Sequence, residues 1–147
     1  ALSAQFEARR VEKRYIALVE GIVDRESGVV EAPIRADLDR RPIQIVDRER
    51  GRPSVTHWRV LAHEVERSRV EFRPVTGRSH QIRVHAALSA GEGGLGHAIL
   101  GDVLYAPDGA APRGPWHASR LMLHASGLEF DDPSGAGRVG VVSAAPF

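Results

Sequence analysis

No cysteine occurs in the 147 residues, which excludes a disulfide framework and a thiolate metal site and fits a cytoplasmic protein. No apolar stretch approaches the roughly 20 residues needed to cross a bilayer, and the amino terminus carries no signal-peptide pattern. Lysine is almost missing. Lys13 is the only one, and every other basic residue is arginine. GC-rich codon usage explains such a bias blandly, whereas the functional explanation is that planar arginine forks suit phosphate and base contacts. Internal repeats are absent too. The chain opens at Ala1 rather than Met, inside a helical pattern, and so reads as a fragment.

What remains is the composition of one folded domain. A hydrophobic share of 42% with 27% charged residues rules out a disordered chain, and the length allows a real core. The net charge of +1 leaves RNA binding open, because the distribution of charge matters more than its sum.

Residues 1–10 read as the end of a helix, with Leu2 and Phe6 one turn apart. Strands are expected at 13–20, 28–32, 54–62 and 69–75, the last two as a hairpin, with a short apolar piece at 43–46. A helix is expected over 78–88, capped by Thr76. A Gly-rich loop at 89–97, a compact stretch at 97–105 and a Pro/Gly-dense loop at 106–118 follow, before strands resume at 119–126, 128–130 and 138–143. Many short strands with one or two helices predict an α+β domain with a mixed, mostly antiparallel sheet.

The chemistry concentrates in Thr76–His85, TGRSHQIRVH. On a helix His80 and Arg83 are neighbours on one face, whereas His80 and His85, five apart, diverge. That spacing argues against a shared metal ion, since paired metal-binding histidines sit four apart. No metal and no cofactor is expected, and a histidine-metal hydrolase fits poorly despite seven histidines. By residue type the cluster is a solvated face or an anion site.

The same segment, with GHAILGD at 96–102 and RLMLHA at 120–125, resembles the signatures G-R-x-H-Q-[IL]-R-x-H, G-H-P-I-x-G-D and R-x-x-L-H-A of the RluA-type pseudouridine synthases. KRYIALVEG is similar to their K-x-Y-x-A-x-V-x-G strand, and GRPSVTHWRVL to their G-K-x-A-x-T-x-[WY]-x-V stretch. The five pieces fall in family order from about Gln5 to Phe147. The family's H-R-L-D-x-x-T-S-G stretch, which carries its nucleophilic aspartate, has no counterpart, Ala98 stands where proline is usual, and SAGEGGL looks like a small insertion.

The resemblance implies the carboxy-terminal part of a pseudouridine synthase catalytic domain over residues 1–147. It implies a monomer whose partner is RNA, ribosomal or transfer, and an isomerisation of uridine to pseudouridine without cofactor. By the same resemblance Tyr15 stacks on the target base and takes part in proton transfer. Arg83 is the cation that keeps the aspartate ionised, and Leu123 lines the uracil pocket. Arg78, His80 and His85 are the candidates for holding RNA around a flipped-out nucleotide. Without the aspartate the chain alone is expected to be inactive, and a non-catalytic RNA-binding module or degenerate homologue is the alternative. Judged by residue type only, Tyr15 and Leu123 are core packing, Arg83 a surface arginine, His97 and His124 structural, and Asp102 a turn residue.

Overall fold

The computed structural model describes residues 2–8, 10–106 and 120–147. After a short helix α1 (Leu2–Glu7) come β1 (Glu12–Glu20), β2 (Ser27–Glu31), β3 (Ile34–Ala36), β4 (Gln44–Val46), β5 (Val55–Glu64) and β6 (Arg67–Pro74). Helix α2 (Gln81–Ala87), a 3-10 turn at Ala90–Glu92, β7 (Leu123–Asp131) and β8 (Arg138–Val142) complete the described chain. Six strands form one antiparallel sheet in the order β2-β5-β6-β1-β7-β8, and β3 and β4 form a separate hairpin. The domain is therefore α+β with a mostly antiparallel sheet.

Alternation along the strands decides which face is covered. On β6, Ser68, Val70, Phe72 and Pro74 are buried on one face, as period two requires. Ala17 and Val19 of β1, Val30 of β2 and Trp58 of β5 join Val70 and Phe72, and Ile82 and Ala86 of α2 with Leu95 and Ile99 close over them. Gly28 pairs with Trp58, and a Cβ there would lie 2.7 Å from the indole. Glycine is what lets the ring lie against β2.

The β5–β6 hairpin turns at Val65–Glu66, with Glu66 at φ 57°. The expected strands at 119–126 and 128–130 are a single strand, β7, which starts at Leu123. Its extra residue opposite Arg14/Tyr15 is Ser126, a bulge that leaves the alternation of β1 intact. Residues 107–118 of the expected loop, and Ser119, lie outside the described residues.

Helix α2 starts three residues later than the pattern predicts. His80 occupies the N-cap with φ 55° and ψ 16°, and Thr76 caps nothing. The Thr76 hydroxyl is already engaged, accepting from the Val55 N–H (3.0 Å) and donating to Gln81 Oε1 (2.7 Å). Gln81 Oε1 also accepts the Arg78 N–H at 3.0 Å, which closes the turn before the helix, and the N-cap His80 itself makes no side-chain cap hydrogen bond. Gln81 Nε2 donates to the Val55 carbonyl and to Thr56 Oγ1, both at 2.9 Å. Thr56 in turn donates to His85 Nδ1 (2.8 Å), and His85 Nε2 donates to the Ala32 carbonyl (2.9 Å). With His85 neutral, each donor in this buried chain finds an acceptor.

Burial accordingly holds the His85 pKa below its ordinary 6.5. The unfolded chain therefore binds a proton at His85 at a higher pH than the folded one does. Stability contributed here should be present above about pH 6.5 and fall as the pH drops through that value. Urea unfolding at pH 7.5 and 5.0 should show a larger loss for the wild type than for His85→Gln. At pH 7.5 His85→Ala should cost about 1–3 kcal/mol, the penalty of orphaning buried polar groups. Equal pH dependence in both proteins would count against this role for His85.

Candidate active site

Five of the six residues singled out in the sequence line one open cleft of about 440 Å³: Tyr15, Arg78, His80, Arg83 and Leu123. They come from three elements. Tyr15 stands on the helix-covered face of β1, half-buried against the core, and Leu123 begins β7 opposite Ala17. Arg78 and His80 belong to the turn before α2, and Arg83 to its first turn. The sixth, His85, is fully buried in the network that ties α2 to β5. It has no surface through which to touch RNA, because a residue five positions past His80 faces the sheet when His80 faces the cleft.

Arg83 and Asp102 form the strongest electrostatic contact of the cleft. Nε donates to Oδ2 at 2.8 Å and Nη2 to Oδ1 at 2.6 Å, a two-pronged geometry that only arginine provides. Asp102 Oδ1 also accepts the N–H groups of Leu104 (3.0 Å) and Tyr105 (3.2 Å). It is thus both the turn residue expected and a buried acid, with its side chain 1% exposed. The hydrogen bonds that Arg83 donates to Asp102 raise its pKa further. Nη1 has no partner among the described residues.

Tyr105 supports this pair from below. The Arg83 guanidinium lies 5.0 Å over its ring, a favourable cation–π distance. The Tyr105 hydroxyl accepts the Gln44 N–H at 2.9 Å and lies 2.7 Å from His80 Nδ1. The two rings meet edge to face with centroids 5.7 Å apart. Burial first, and then the Arg83 cation, lower the His80 pKa, while burial raises that of Tyr105. The left-handed backbone of His80, uncommon for a residue with a side chain, is what aims its ring at Tyr105. Of the histidines read as structural, His97 contacts the Glu20 carbonyl (2.7 Å) and His124 contacts Ser143.

Neither Asp102 nor Tyr105 stood out in the sequence as part of a site. Asp102 follows a glycine, which favours a turn assignment, and the only signal for more was its place in the GHAILGD stretch. Tyr105 had no signal. Among the described residues, no group of three or more His, Cys, Asp or Glu side chains could hold a metal ion.

Residues 1–88 match the family described as RNA pseudouridylate synthase. The chain is 42% identical over 133 residues to the dual-specificity RNA pseudouridine synthase RluA of Pasteurella multocida, covering 90% of this chain and 56% of that protein. To the RluA of Escherichia coli K12 it is 39% identical over 134 residues, covering 90% and 57%. The solved structure of human RNA pseudouridylate synthase domain containing 1 superposes with a TM-score of 0.79 at 30% identity, over 99% of this chain and 59% of that one. The chain belongs to the RNA pseudouridylate synthase family. It spans little more than half the length of these relatives.

Removing one partner of a buried ion pair leaves the other uncompensated, at a cost of about 3–5 kcal/mol when both are fully buried. Arg83 keeps 16% of its side chain exposed, so Asp102→Ala should cost nearer the lower end. A double-mutant cycle with Arg83→Ala, read by urea unfolding, should give a coupling energy above about 1 kcal/mol. Additive single effects would show that the pair is not coupled.

Proposed function

We propose that this chain is the carboxy-terminal portion of the catalytic domain of an RNA pseudouridine synthase, which isomerises uridine to pseudouridine in structured RNA. Ribosomal and transfer RNA are the expected substrates. The observation that carries this reading is the convergence of Tyr15, Arg83 and Leu123 on one cleft although they are 68 and 40 residues apart in sequence.

The reaction breaks the bond between the ribose C1′ and uracil N1, turns the base and rejoins it through carbon. Each residue can serve a step of that chemistry. Leu123 and the Tyr15 ring offer apolar surface on which a uracil removed from its stack can lie. The Tyr15 hydroxyl can exchange a proton with the turning base. Arg83, held by Asp102 and Tyr105, has Nη1 left over to receive an ionised carboxylate. A guanidinium already fixed loses little freedom when it binds, which suits a group that must hold a nucleophile in place. Arg78 and His80 stand at the cleft to hold the strand around the extruded nucleotide.

The carboxylate itself belongs to the family's H-R-L-D stretch, which the 147 residues do not contain. Tritium release from uridine-labelled RNA should therefore be absent with this chain alone and present with a protein that also carries the aspartate segment. In that protein Arg83→Ala should lower turnover by orders of magnitude, since each roughly 1.4 kcal/mol of lost transition-state stabilisation is tenfold in rate. Arg83→Lys should rescue poorly, because a point charge cannot engage Asp102 and a second carboxylate together. Near-normal turnover by Arg83→Ala would refute the assignment, and turnover by the 147-residue chain would refute the need for the aspartate.

A further inference from the structure

Lys13 is the one lysine of the chain, and its position is unusual. It shares a face of β1 with Tyr15, two residues and so about 6.6 Å away along the strand, and both side chains line the cleft. Its Nζ donates to the Thr76 carbonyl at 3.2 Å. Burial lowers the pKa of this ammonium. Among the described residues no carboxylate pairs with it. Glu12 beside it on the strand is bound to Arg138, and Glu71 on the far face is taken by Arg59 and Arg73. Glu7 lines the adjoining depression but forms no ion pair with Lys13. A half-buried ammonium whose protein contact is one neutral carbonyl is incompletely compensated.

The surroundings leave that amine open on one side. A Cβ on Gly77 would lie 3.3 Å from Nζ, so almost any side chain at 77 would crowd or cover it. Beyond Gly77 stands Arg78, whose Nε and Nη2 reach, among the described residues, only the Pro53 carbonyl, at 3.4 Å each. Lys13, Gly77 and Arg78 also border a second depression of about 350 Å³ that continues from the cleft. Two cations that form no ion pair among the described residues thus flank a bare glycine at the edge of the cleft.

We propose that Lys13 and Arg78, on either side of Gly77, bind a phosphodiester of the RNA strand next to the nucleotide whose base enters the cleft. The inference rests on the function proposed above and names the part of the substrate held at this end. A base lying on Tyr15 would bring a phosphate flanking it towards Lys13, two residues along on the same strand face. A phosphodiester carries a single charge and unshielded oxygens, and it can accept from an ammonium and a guanidinium at once. It would supply the anion that the protein itself does not place beside Lys13.

The test uses a protein carrying this chain together with the aspartate segment, and a stem–loop RNA with one unpaired uridine. Binding is read by fluorescence anisotropy across a salt series. Lys13→Gln should make the slope of log affinity against log salt shallower by roughly 0.7–0.9, the loss of one phosphate contact. The several-fold loss at low salt should fade at high salt, and Lys13→Arg should keep the wild-type slope. Replacing the phosphates flanking the uridine, one at a time, by methylphosphonate should weaken wild-type binding at one position and leave Lys13→Gln indifferent there. An unchanged slope, or equal sensitivity of both proteins to every methylphosphonate, would overturn the proposal. An unchanged slope with reduced tritium release would assign the amine to a protein carboxylate instead. Binding is measured without turnover, so a protein that binds as described yet makes no pseudouridine would refute the proposed reaction and not this site.

Discussion

Everything at the cleft depends on one hydrogen-bond junction, the Thr56 hydroxyl between Gln81 and His85. Helix α2 has seven residues, too few to be stable alone in water. Packing of Ile82 and Ala86 against the sheet holds it down but does not choose its register. The junction does, because Gln81 must reach Val55, Thr56, Thr76 and Arg78 at once. A helix shifted by one residue would leave these groups buried and unpaired, at a cost well above that of lost packing. With Gln81 and His85 turned to the sheet, Arg83 and His80 are left facing the cleft.

That geometry explains why histidine and arginine take such different parts within ten residues. His85 is kept neutral and inside. Arg83 is kept charged at the boundary, where Asp102 compensates it and Tyr105 stacks on it. The pair costs desolvation on both sides, and a buried ion pair is poor evidence of stability. What it provides is orientation. Two of the guanidinium nitrogens are fixed, so the third has one direction to offer, and a carboxylate arriving there meets a preorganised donor.

Much of the fold was legible in the sequence. The alternation in Val55–Glu64 and Arg67–Pro74 reported a half-buried hairpin, and the K-x-Y strand was right to within a residue. Tyr15, Arg83 and Leu123 were singled out by the family resemblance, and all three line one cleft. What the pattern could not show were choices settled by tertiary contact. Thr76 is an acceptable cap by type, yet its hydroxyl is spent on Val55 and Gln81, so the helix starts at Gln81. His85 reads as polar and available until Thr56 and Ala32 claim both nitrogens. The β3–β4 hairpin hides because its strands have three residues each, too short for alternation to register.

The abundance of arginine is equally ambiguous in sequence and resolves only by position. On the sheet face away from α2, Arg59 and Arg73 each donate to Glu71, itself 4% exposed, and Arg14 stands 4.0 Å from it. Their forks largely serve to bury an acid on an otherwise open face. Arg67 and Arg69 likewise pair with Glu64, which stays 25% exposed. Such arginines add little to an electrostatic footprint, because part of their charge is already answered locally. Lys13 and Arg78, like Arg25 and Arg48 elsewhere, have only carbonyls as hydrogen-bond acceptors among the described residues, but Lys13 and Arg78 both stand at the cleft. A net charge of +1 therefore says little about local potential, which depends on where cations go without a paired carboxylate rather than on how many there are.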